Sequence, residues 1–145
     1  MTVNYSEINN TAVGLILSAK KHTTAIDKKL KALVEIRVSQ INGCAYCVDL
    51  HSAEARQLGV YQQLLDCLPV WRESHLFSDR EMAALQWAES VTEISSEKDI
   101  EIKLEGLLTC YSETEAVDLT LVISLMNALN KMAISFGDKP ERRLT

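Results

Sequence analysis

Asp27-Lys28-Lys29-Leu30-Lys31-Ala32-Leu33-Val34-Glu35-Ile36-Arg37-Val38-Ser39-Gln40-Ile41-Asn42-Gly43-Cys44-Ala45-Tyr46-Cys47-Val48-Asp49-Leu50-His51 is the stretch on which the fold turns. Asp27 is placed to cap a helix whose apolar stripe, Leu30, Leu33, Val34, Val38 and Ile41, has the i, i+3, i+4 spacing of a core-facing surface. Asn42-Gly43 is a turn or helix-break signal. A new helix begins after it, carries the two cysteines near its N-terminus and runs to Leu58, where Gly59 supplies a C-terminal stop. So tight a turn folds the two helices into an antiparallel hairpin.

Outward from this hairpin the period stays helical. A first helix is expected over about Ser6 to Lys21. A short helix through Tyr61 to Leu68 stops at Pro69, and Val70 to Phe77, with Trp71 and His75, reads as the longest loop. Ser78-Asp79-Arg80-Glu81 is a capping box, in which serine and glutamate reciprocally satisfy orphan backbone N–H groups, and it opens a helix to about Ile94. Ser96 is expected to cap another through Leu108, and a second box, Ser112-Glu113-Thr114-Glu115, opens a long apolar helix to Phe136 that Gly137 ends. Strand alternation and hairpin signals are absent from the sequence, as are linkers and repeats. The expected fold is an all-α, single-domain helical bundle over residues 1–145, with a CxxC at a helix N-terminus.

Composition narrows the function classes. At 145 residues and 47% hydrophobic, the chain is long enough to bury a core without disulfide staples. A net charge of −5 argues against nucleic acid as partner, since such binders carry a basic face. The N-terminal Met1-Thr2-Val3-Asn4-Tyr5-Ser6-Glu7 has neither the basic region nor the apolar run of a secretory signal, so a cytoplasmic location is expected. Val117 to Met132 is interrupted by Asp118, Asn127, Asn130 and Lys131, which points to a core helix and to no membrane partner. Four cysteines in a chain of this size do not make a secreted scaffold, and a CxxC pair in a reducing compartment is catalytic or metal-binding.

Cys44, Cys47 and His51 fall within about 60° of one another around a helix. Two thiols and an imidazole on one face make a redox site or a metal site. The positive end of the helix favours thiolate at Cys44, whereas His51, one turn beyond Cys47, can take that residue's proton. Glu35 lies about as far before the Asn42-Gly43 turn as His51 lies after it, so the hairpin brings the two to similar heights. A carboxylate there fixes the imidazole tautomer in a nucleophile, base and orienter arrangement. A zinc site is the rival, with a fourth ligand from Cys67, Cys110, His75, His22 or water, but no zinc-ribbon spacing is present. Two small buried hydrophobes are the plain alternative for the cysteines. Haem attachment is excluded because Val48 stands where CxxCH needs histidine. Cys67 and Cys110, each among leucines, read as packing residues, His22 as solvated, and His75 receives no role. Asn127 and Asn130 serve either a buried polar cluster or an interface.

The segment Glu35 to His51, continuing through Ala55-Arg56 and Leu58-Gly59, resembles the signature of the carboxymuconolactone decarboxylase superfamily in its alkyl hydroperoxidase D-like (AhpD-like) branch. Asn127-Ala128-Leu129-Asn130-Lys131-Met132-Ala133 resembles that branch's C-terminal helix. The resemblance implies an all-α fold, homo-oligomers (trimers or hexamers) and thiol-dependent reduction of peroxides. It casts Cys47 as the peroxidatic cysteine, Cys44 as the resolving one and His51 as the proton-relay histidine. Two positions depart from the family pattern: Tyr46 replaces a histidine, and the relay glutamate falls at Ala32, one helical turn before Glu35. The expected function is therefore a peroxidase, an alkyl hydroperoxide-type oxidoreductase cycling Cys44 and Cys47 between dithiol and disulfide with His51 and Glu35 as relay. Its partners are a peroxide substrate and an external dithiol reductant or redox protein, and no cofactor or metal is expected. The alternatives are a general disulfide reductase and a non-catalytic helical module that binds zinc or senses oxidation.

Overall fold

A computed structural model describes residues 1–144. Its elements, in chain order, are α1 (Tyr5–Ile8), α2 (Asn10–Lys21), α3 (Lys28–Asn42), α4 (Ala45–Gln57), α5 (Gln62–Cys67), a 3₁₀ turn (Leu68–Glu73), α6 (Asp79–Thr92), α7 (Ile100–Leu108) and α8 (Glu113–Phe136). No strand occurs among the described residues, so the all-α reading stands.

The centre of the molecule is α3. Asp27 caps it by accepting the Leu30 N–H at 3.0 Å, and Gly43 ends it in the left-handed region at φ 71°, a conformation that costs a side chain about 1–2 kcal/mol. The helix buries Leu30, Leu33, Val34 and Val38 of its expected stripe, leaves Ile41 half-buried, and buries Ala32, Glu35, Ile36 and Ser39 besides, because α4, α6 and α8 all pack on it. Leu30, Val34 and Val38 join Ala84 and Trp87 of α6 and Leu119, Ile123 and Met126 of α8 in one core. Ala32, Leu33 and Ile36, on the other side, meet Ala55 of α4, Leu68, Trp71, Phe77 and Leu85 in a second core. Where the α3–α4 turn meets α8, Cys44 and Cys47 pack on Ala133.

Four details differ from the sequence expectation. The helix expected over Ser6 to Lys21 is divided, because Asn9 closes α1 and its side chain caps α2 by accepting the Ala12 N–H at 3.1 Å. A short amide side chain competes with the helical backbone in this way. Pro69 does not begin a loop but stands in the first turn of a 3₁₀ helix, where its missing N–H is no loss. Asp99 rather than Ser96 precedes α7, without a side-chain cap, and Ser96 instead donates to the Glu93 carbonyl at 3.0 Å. Finally, α8 is long and apolar enough by length and composition to cross a membrane, despite its polar interruptions. Its packing identifies it as a core helix, since Leu119, Val122, Ile123, Met126 and Ala133 are buried against the rest of the fold. The two asparagines of α8 serve a buried polar cluster: Asn42 Nδ2 donates to Asn127 and Asn130 at 2.8 and 3.0 Å, and Asn130 Nδ2 donates to Ser39 at 3.0 Å.

Candidate active site

Gly43 reverses the chain so that Cys44 becomes the N-cap of α4, its sulfur accepting the Cys47 N–H at 3.3 Å. The two cysteines, 5.2 Å apart at Cα, are joined as a disulfide. One turn later α4 presents His51 on the same face, as the spacing predicts. Exposure is low throughout: 2% for Cys44, 4% for Cys47, 5% for His51 and 4% for Glu35. Access runs through a cavity of about 400 Å³ onto which Cys47 and His51 open, whereas Cys44 does not line it. Its walls are apolar over Val13 and Leu17 of α2, Leu50 of α4 and Met126 and Leu129 of α8, with Tyr46, Lys20 and Lys139 as polar edges.

The hairpin brings Glu35 and His51 together, with 3.3 Å from Glu35 Oε2 to His51 Nδ1. The hydrogen bond of that nitrogen, however, goes to Glu54 Oε2 at 2.8 Å, one turn further along α4. Glu35 Oε2 is met most closely by Lys20 Nζ at 2.5 Å, and neither Lys20 nor His51 approaches that oxygen in the direction of a hydrogen bond. The carboxyl of Glu54 is held below its ordinary range, first by the hydrogen bond from His51, with burial opposing. With the Glu54 carboxylate accepting at Nδ1, that nitrogen carries the ring proton and Nε2 is left as the base. Lys20 and Glu54 are the site residues that sequence reasoning missed. His51 and Glu54 are three apart on one helix, a signal present in the sequence. Nothing local marks Lys20, which belongs to a helix brought in by tertiary packing. At the edge of the cavity Tyr5 donates to Asp138 at 3.0 Å, and burial together with that carboxylate pushes its phenol up to about 12.

The other histidines and cysteines are not gathered here. His22 is the exposed C-cap of α2, His75 is exposed, and Cys67 and Cys110 are half-buried free thiols beside the two cores. Among the described residues no group of three or more histidine, cysteine, aspartate or glutamate side chains is arranged to hold a metal ion.

Comparison with known proteins adds the family. The Carboxymuconolactone decarboxylase family profile matches residues 11–90. The uncharacterized protein YdfG of Bacillus subtilis is 34% identical over 94% of this chain and 95% of its own length. A crystal structure from Agrobacterium tumefaciens, of a protein of unknown function provisionally named as the antioxidant defence protein AhpD, superposes with a TM-score of 0.91 at 30% identity. The match covers 98% of this chain and all of that one. The debrominase Bmp8 shares the fold alone, with a TM-score of 0.80 at 22% identity over 90% of this chain and 69% of that one. The profile match, the near full-length relative and the CxxC at the head of α4 agree: the chain belongs to the carboxymuconolactone decarboxylase family, in its AhpD-like branch.

Proposed function

We propose that the chain is a thiol-dependent peroxidase in which Cys47 is the reacting sulfur, Cys44 resolves it and His51 moves the proton. The observation that carries this reading is that Cys47, and not Cys44, shares the cavity with His51. The His51 base holds the Cys47 proton, and the thiolate attacks one peroxide oxygen. The O–O bond breaks, the alcohol or water leaves with the proton from the imidazolium, and Cys47 becomes a sulfenic acid. Cys44 then attacks the Cys47 sulfur, water departs, and the Cys44–Cys47 disulfide forms. Two electrons and two protons from an external dithiol restore the thiols.

The fold alone does not select this chemistry, since it also occurs in a debrominase. A redox pair whose Cys47 opens onto the same cavity as a positioned base supports peroxide reduction over lactone decarboxylation, which has no use for a dithiol. The test is consumption of cumene hydroperoxide and hydrogen peroxide by the protein with dithiothreitol as donor. Turnover that Cys47→Ser abolishes is the expected result. No turnover with either peroxide, together with rapid reduction of a model disulfide, would make the protein a general disulfide reductase.

A further inference from the structure

We propose that Lys20 is a positioning residue, whose ion pair with Glu35 clamps α2 over the cavity and so limits the size of molecule that reaches Cys47. The inference deepens the reading above only in taking Cys47 as the reacting sulfur.

The wall of the cavity is a helix with little packing of its own. Not one residue of α2 is buried, yet Val13, Leu17 and Lys20 from it line the hollow above Cys47. Elements with so few buried apolar contacts open locally at low free energy. The segment is tied at its ends. Before it, the Val3 N–H donates to the Phe136 carbonyl at 3.0 Å and Tyr5 donates to Asp138 at 3.0 Å. After it, the Ala25 N–H donates to Asp118 at 2.9 Å. Between those ends, among the described residues, the polar side-chain tie from α2 to the body of the molecule is Lys20 to Glu35.

That tie is a charge contact with one end buried and the other half-exposed. Glu35 is buried, and a buried carboxylate needs a cation beside it. Lys20, with its side chain 26% exposed, is closer to Glu35 Oε2 than His51 is, at 2.5 against 3.3 Å, while His51 has its own carboxylate in Glu54. The two carboxylates therefore divide the work: Glu54 holds the imidazole and Glu35 holds α2.

The pair is also a partition. Behind it lies a second cleft of about 320 Å³, lined by Lys20, Lys28, Lys31, Glu35 and Glu54, and Lys20 and Glu54 line the site cavity as well. Releasing Lys20 joins the two hollows, so α2 swings away from a wider and wetter space. Because both sulfurs are nearly inaccessible, this opening sets what can enter.

The test compares two reagents of the same chemistry and different size, iodoacetamide and N-pyrenyl iodoacetamide, on the reduced protein, with alkylation of each cysteine read by peptide mass spectrometry. Their rate ratio at Cys47 cancels the thiolate fraction and reports access alone. Lys20→Met should raise the ratio of bulky to small reagent by about tenfold, between the small effect of a surface pair and the large one of a buried pair. It should also speed amide exchange across α2, and Lys20→Arg should stay near the parent. Glu35→Gln should raise the ratio equally, and the double variant no further. An unchanged ratio in Lys20→Met, a rise that Glu35→Gln does not share, or an equal rise at Cys67, which would mean general loosening, overturns the clamp. Failure of the peroxidase reading shows separately, as absent peroxide turnover with the alkylation pattern intact.

Discussion

His51 faces two carboxylates through one nitrogen, and only one of them makes a hydrogen bond to it. At the scale of the residue this decides what each substitution removes. A thiol of ordinary pKa, about 8.5, is only about 3% ionised at pH 7, so the base has roughly thirtyfold to offer. His51→Ala is expected to slow peroxide reduction at pH 7 by about ten- to thirtyfold, with the loss vanishing above about pH 9 as Cys47 ionises unaided. A loss that is the same at every pH would mean that His51 does not move the proton. Glu54→Gln should slow the neutral-pH rate more than Glu35→Gln does, and combining Glu54→Gln with His51→Ala should cost little beyond His51→Ala alone. The sequence made Cys44, Cys47, His51 and Glu35 legible because their placement depends on one helix and one hairpin. Glu54 was legible by its spacing but reads as an ordinary exposed helix residue. Lys20 was not legible, since its partner is set by how α2 docks.

At the scale of the element, the turn between α3 and α4 and the seam beside the second core carry the testable weight. Gly43 has φ 71° and no atom within 4 Å of where a Cβ would stand, so Gly43→Ala costs backbone strain alone, about 1 kcal/mol in thermal or urea unfolding. A much larger loss would mean that the turn is held more tightly than its contacts indicate. Glu89 of α6 ties three elements together: it accepts from Trp71 at 2.9 Å and from Arg37 at 3.0 Å, and pairs with Arg72 at 2.7 Å. Burial pushes its carboxyl up, but these donors more than offset it, so the group lies below its usual value of 4.5. A lowered native pKa gives stability that is complete above the unfolded value and disappears as pH falls through the native one. Glu89→Gln should therefore destabilise by about 1–3 kcal/mol at neutral pH. The gap from the parent should close below pH 4.5, and a gap constant with pH would remove the ionic role. The capping boxes at Ser78 and Ser112 and the Asp27 cap were readable because a cap is a local contract between neighbours. The Asn9 break and the 3₁₀ turn after Cys67 escaped because periodicity persists through them while the backbone hydrogen bonds change partner.

At the scale of the whole molecule, α3 separates two apolar cores and leaves the redox pair at the junction of α4 and α8. The amphipathic pattern foretold an all-α bundle and the α3–α4 hairpin, but not the division into two cores, the meeting of α4 with α8 or which face of α8 would stay uncovered. Leu104 and Leu108 of α7 and Val117 and Leu121 of α8 line an open apolar groove of about 510 Å³. The homo-oligomer implied by the family resemblance would cover such a face. Light scattering at micromolar concentration should give a mass above the 16.2 kDa monomer, and Leu121→Glu should lower it. A monomer in the parent protein would end that expectation without touching the site. The central claim, that Cys47 is the sulfur that meets peroxide, is tested most directly by a brief hydrogen peroxide pulse in the presence of dimedone, followed by peptide mass spectrometry. In reduced Cys44→Ser the adduct of a sulfenic acid should appear on Cys47, and in reduced Cys47→Ser it should be missing from Cys44. An adduct on Cys44 in Cys47→Ser, with none on Cys47 in Cys44→Ser, would contradict the account and reverse the two roles.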